Sequence, residues 1–467
     1  MSPRPALANL SEQISTMADQ ELIGVTIYNN NLALVKERRT LTLDSGINLL
    51  AYTEVSAQIQ PESAIMRSVS HSNSLTVLEQ NFDFDLLTPQ KLLEKFVGRQ
   101  IGVVKTHPTT GEETTEEAQV LSTNNGAVLK IGSRIETGGA AGRLIFPNVP
   151  ENLRERPTLS MTLQSQTDEQ QTVELSYLTG GLSWRADYVA ELAGDDTLVD
   201  VNGWVTLTNT SGTLYRNALL QLVAGDVHQV PRYEERDRRL MVKDIEMAAQ
   251  APQMAEEGLF EYHLYTLARP TTILDNQTKQ VSLLQAGRVP VDKEYVLMGR
   301  DYYYRNRYSD LADSHKIAVY LKLVNSKDNG LGLPLPKGVV RVYKKDSKNR
   351  IQFIGEDRID HTPENENIRL KLGNAFDVTA QKKQTDFTKL SGFSRYNYVM
   401  ESSYEVIIKN AKETAVTVKV VEPMPGDWEI LEENITHQKE SSSAAFWMVD
   451  VPPKGEASLL YRVRVQY

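Results

Sequence analysis

GEASLLYRVRVQY, residues 455–467, sets how the rest of this chain reads. Ala457, Leu459, Tyr461, Val463, Val465 and Tyr467 fall at every second position. Ser458, Arg462, Arg464 and Gln466 fall between them, and only Leu460 breaks the pattern. A pleated backbone sends successive side chains to opposite faces, so this period means a strand with one buried and one wet face. The alternation recurs at Ile317, Val319, Leu321 and Leu323, at Ile368, Leu370 and Leu372, and at Val416, Val418 and Val420. Many short strands with one solvated face predict a mostly all-β chain of antiparallel sandwiches.

Three of these strands end alike. WVTLTNTSG (204–212), YLKLVNSKDNG (320–330) and YEVIIKNAKE (404–413) each close on an asparagine followed by a polar turn. Asparagine tolerates left-handed backbone angles and bonds nearby backbone, which suits a strand exit. The repeat reads as immunoglobulin-like sandwich units, without the cysteines of true immunoglobulin domains.

Residues 88–148 read differently. Thr88-Pro89 is a helix start, with Thr as cap and Pro in the first turn. Leu92, Leu93, Phe96 and Val97 form its apolar stripe, and Gly98 can stop it. Short strands follow at 101–105, 118–122, 127–131 and 143–147, with a hairpin signal at 123–126. One helix and a strand meander predict a small SH3-like barrel inserted as a packing module. The expected layout is an unstructured tail over 1–20, a β segment over 21–87, the insertion over 88–148, a central β domain over 157–400 and a sandwich over 401–467. Residues 231–258 lack a strand pattern and are expected to form a mobile loop or loose helix. Met241, Met247 and Met254 there could serve a partner-binding arm.

With 51 Lys and Arg against 61 Asp and Glu, the net charge is −10, which argues against a general nucleic-acid binder. The count of 0 cysteines removes disulfides, thiol nucleophiles and thiolate metal sites. No apolar run is long enough to predict a transmembrane segment. The first residues carry no apolar signal core, although Ala6-Leu7-Ala8 has the small-residue spacing that precedes signal cleavage.

Four stretches carry a resemblance. KGVVRVYKKDSKNRIQFIGEDRIDHTPENENIRLKLGNAFDVTAQKKQTDF (337–387) is similar to a block of the bacterial mucoidy-inhibitor-like proteins with the domain of unknown function 4139. FEYHLYTLARPTTILDNQTKQVSLLQA (260–286), SYLTGGLSWRADY (176–188) and WVTLTNTSGTLYRNALLQLVAGD (204–226) resemble the same family. The resemblance implies a fold and, since relatives are often exported, a periplasmic or cell-surface place, with the cytoplasm as the alternative. It implies no chemistry.

No nucleophile elbow, phosphate loop, dinucleotide fingerprint or zinc-protease motif occurs. The expectation is a non-enzymatic structural or protein-interaction module without a cofactor, contacting another protein or an envelope component. Two alternatives remain. Glu356, Asp357, Asp360 and His361, joined by Glu261 and His263, could gather on a divalent ion and make a metal-dependent hydrolase. Against this, Asp360-His361-Thr362-Pro363 also reads as a turn. DYYYRNRY (301–308) could stack a glycan on Tyr302 or Tyr304, yet in a Tyr-rich strand alternate rings face opposite ways, so no single platform results.

Overall fold

The computed structural model describes residues 11–83, 85–124, 126–137, 142–150, 153–225, 227–228, 254–308, 314–391 and 396–467. They form strand upon strand, with one short α-helix and a few single turns of 3-10 helix among the described residues. The chain divides into two compact units, Met1–Trp184 with Leu207–His228 and Glu257–Lys279, and Arg185–Thr206 with Gln229–Glu256 and Gln280–Tyr467.

In the first unit, the strand Gln20–Tyr28 lies between Leu32–Thr42 and Tyr215–Ala224. A second sheet sets Glu12–Ser15, Gly46–Thr53, Thr158–Ser165 and Leu75–Asp83 side by side. The expected tail is therefore structured from residue 12, because Glu12–Ser15 gains a full parallel ladder on Leu49 to Tyr52.

The module after residue 88 folds around its own core of Leu93, Phe96, Ile101, Val103, Val120 and Leu129. Thr88 caps the helix Pro89–Lys95 by accepting from the Lys91 amide at 3.1 Å, and Gly98 follows at φ +83°. The five strands run in the open order Arg134–Thr137, Val128–Ile131, Glu113–Ser122, Gln100–Thr106, Arg143–Ile145. No sheet among the described residues closes into a barrel. Lys105 and Arg134 share Glu116 and Glu136, so these basic residues are neutralised within the module.

The second unit holds most of a five-stranded sheet and a nine-stranded ribbon. In the ribbon Asp427–Glu433, Gly455–Gln466, Val399–Asn410, Asn367–Leu390, His315–Val324, Asp292–Met298, Val416–Pro423, Ala444–Val451 and Gln438–Ser441 are successive neighbours. Leu459, Tyr461, Val463 and Val465 are buried, as their alternation requires. The core they enter also takes Tyr295, Leu297, Tyr304 and Ile317, so residues 401–467 do not close a sandwich alone. Not every pair is antiparallel. Leu182–Leu192 runs parallel to Gly338–Lys345, and Asp292–Met298 to Val416–Pro423. The long intervening segments supply the crossovers that parallel pairs need.

Most of 231–258, with Met241 and Met247, lies outside the described residues. Its end does not continue a loop, since Met254 to Gly258 belong to the strand Met254–Leu259.

Candidate functional site

The tyrosine cluster is not a strand. Asp301–Tyr304 winds as a single 3-10 turn, which drops Tyr303 and Tyr304 into the core. Tyr304 is fully buried and has no face left for a sugar. Tyr302 stays accessible, its ring edge-on to Tyr303 at 4.9 Å.

Asp357 and His361, two of the proposed metal ligands, already bond backbone amides. Asp357 accepts from the Arg358 amide at 2.9 Å and the Lys371 amide at 2.7 Å. Asp360 and His361 follow the strand Ile351–Ile359 as irregular chain, where the Thr362 hydroxyl donates to the Asp360 carbonyl at 2.8 Å. The His361 Nδ1 accepts from the Lys337 amide at 3.3 Å. This segment lines a shallow depression of about 450 Å³. Glu356 forms an ion pair with Arg341 at 3.2 Å. His263 belongs to the first unit, in the strand Tyr262–Leu267 opposite Ala224, with Glu261 just ahead of it. No group of three or more His, Asp or Glu side chains among the described residues could hold a metal ion.

Two other places in the second unit carry chemistry. The first is a buried ion pair. Lys382 Nζ donates to Glu422 Oε1 at 2.7 Å, and the two side chains are 2 % and 1 % exposed. Lys382 also donates to the Tyr461 hydroxyl at 3.0 Å. Tyr304 donates to Glu422 Oε2 at 2.7 Å and stands 2.9 Å from the Tyr461 hydroxyl, which donates to it in turn. The rings of Tyr303 and Tyr404 flank the ammonium, each centroid 4.5 Å away. Burial lowers the Lys382 pKa against the pull of Glu422. The phenols of Tyr304 and Tyr461 are pushed well above their ordinary value, first by burial and then by the Glu422 charge. Gly299 makes room, since a Cβ there would collide with the Glu422 carboxylate.

The second is an open groove of about 330 Å³, lined by Lys293, Lys344, Lys412, Tyr295, Asp196 and Asp377. Lys293 and Lys344 share the single carboxylate of Asp196. Lys412 donates to the Tyr295 phenol at 2.8 Å. On one wall the strand Asn367–Leu390 bulges: Asn374 pairs with Ala318 and Thr379 with Lys316, so four residues intervene where the partner strand has one. The bulge includes Phe376, which is 94 % exposed.

Comparison with known families decides the lineage. Residues 173–467 match the family described as "Domain of unknown function (DUF4139)". The chain belongs to the DUF4139 family. A comparison with curated proteins finds no match. Both the buried pair and the whole of the groove's lining fall within the DUF4139 region, as does the Asp357 to His361 segment. The family brings no residue roles, so the site rests on geometry alone. Sequence reading passed over Lys382 and Glu422, though a signal existed. Lys382 continues the buried phase of Val378 and Ala380, and Glu422 that of Val418 and Val420. A charge on the inner phase of a strand needs a buried partner. For the lysine groove no such signal exists, because its residues come from separate strands and turns.

Proposed function

We propose that this DUF4139 protein is a non-enzymatic interaction module, and that a partner protein docks at the lysine groove of the second unit. The observation that carries the reading is Phe376. It is almost wholly exposed, while Val378 and Ala380 on the same strand are buried. Bulges re-aim single side chains, and an aromatic presented to water is a ready anchor for a partner. Lys293, Lys344 and Lys412 outnumber Asp196 and Asp377 in the groove, leaving it a positive excess on a chain of net charge −10. That combination suits an acidic partner segment with an apolar residue to meet Phe376.

Affinity capture from the native host with wild type, Phe376→Glu and Tyr302→Ala as baits tests it. Tyr302 is the control, being an exposed aromatic that does not line the groove. A partner held by wild type and Tyr302→Ala but lost with Phe376→Glu is expected. Identical capture by all three would sink the docking reading.

A further inference from the structure

We propose that Lys382 and Glu422 condense to a side-chain amide, a covalent tie between the strands Asn367–Leu390 and Val416–Pro423. This goes beyond the docking reading and does not depend on it. The reacting groups already touch, with Nζ 2.7 Å from a carboxylate oxygen and both side chains closed to solvent. Each buried ion forfeits its hydration, and the pair regains this only through good geometry. An amide carries neither charge, so the reaction removes both from the core.

The step balances without a co-reactant. The ammonium passes a proton to the carboxylate, and the resulting amine attacks Cδ. A C–N bond forms and one C–O bond breaks. Nitrogen goes from three hydrogens to one, and the two released protons leave with one carboxyl oxygen as water.

The surroundings suit each stage. Burial lowers the proton affinity of Lys382 and so favours the neutral amine. Tyr461 receives a hydrogen bond from Nζ at 3.0 Å and orients it. Tyr304 donates to Glu422 Oε2 at 2.7 Å, the placement needed to stabilise negative charge on that oxygen during attack. The fold holds amine and carboxyl together permanently, which replaces a bimolecular encounter by an intramolecular one. Gly299 keeps the carboxyl in place by leaving it space that no other residue would.

Intact mass of the denatured full chain is the test. The wild type should be lighter than its sequence by one water, and a tryptic digest should contain a branched peptide joining the Lys382 and Glu422 segments. Lys382→Met should have the full mass of its own sequence. Glu422→Gln should lose ammonia in place of water and give the same final product. Tyr304→Phe should leave a mixture of joined and unjoined chains. A wild-type mass equal to the sequence, with both segments recovered as separate linear peptides, overturns the proposal whatever the variants do.

Discussion

Arg39 in the first unit and Lys382 in the second are both cations without solvent, yet they are held in opposite ways. Arg39 pairs with Glu37 two residues back on its own strand, at 2.9 Å. Its remaining donors reach the Ser15 carbonyl at 2.9 Å and the Thr53 carbonyl at 2.9 Å, and its plane lies 3.7 Å over the Tyr52 ring. Every part of that guanidinium is occupied, and arginine does not give up its proton. Lys382 instead meets a carboxylate forty residues away in sequence, with one phenol and two ring faces around it. A lysine can lose its proton when buried, and a free amine is a nucleophile. One pair is a fixed joint for the strand Glu12–Ser15; the other is a poised reaction.

The largest test of that contrast removes one partner from each pair. Lys382→Met strands the Glu422 carboxylate and should cost about 3–5 kcal/mol in a urea melt. Arg39→Met should fall in the same range of about 3–5 kcal/mol, but hydrogen exchange should show it freeing residues 12–15 selectively. Exchange that rises uniformly in the Arg39 variant would remove the local reading of that pair. Double replacement sharpens the comparison. Lys382→Met with Glu422→Leu should be more stable than Lys382→Met alone, since it removes the stranded charge from among apolar neighbours. Arg39→Met with Glu37→Leu should regain less, because the Thr53 carbonyl loses its arginine donor and the Ser15 carbonyl keeps only the Thr53 hydroxyl.

A smaller effect comes from Gly299→Ala, whose added methyl displaces Glu422 and should cost about 1–3 kcal/mol by overpacking. If Lys382→Met abolishes that penalty, the carboxylate is what the methyl disturbs. The mildest change concerns Glu401, a half-open pair that calibrates both. Burial pushes its pKa up, but hydrogen bonds from Arg462 and Arg464 outweigh this and hold it below the ordinary value. A depressed carboxyl contributes stability that is complete above its unfolded value of 4.5 and is lost as pH falls through the folded one. Glu401→Gln should therefore flatten the stability curve only on the acid side of that value, read from melts across pH.

Burial phase was legible in the chain. The alternation at residues 457–467 matches the buried face, and Thr88-Pro89 opens a helix as expected. The three strand-ending asparagines were legible as a repeat, and of the two reasons expected it is bonding to nearby backbone, not left-handed geometry, that holds. None of Asn209, Asn325 and Asn410 is left-handed. Each buries its amide and bridges the turn that follows: Asn209 to the Thr213 carbonyl at 2.9 Å, Asn325 to Leu333 at 2.9 Å, Asn410 to Thr414 at 2.8 Å. Each also accepts from a backbone amide, of Ser211, Gly332 or Lys412, at 3.0 Å. The tyrosines of 301–304 were misread because a four-residue turn and a short strand look alike without neighbours.

What residues 455–467 and their echoes determined unaided is which side of each strand meets water, since a pleat alternates whatever it packs against. The same rule marks Glu37, Arg39, Lys382 and Glu422 as charges on an inward phase. Tertiary structure alone decided their partners. Arg39 finds its carboxylate within one strand and Lys382 finds its own on a non-adjacent strand of the same sheet, because contact between distant strands depends on how the sheet folds over its core and not on local period.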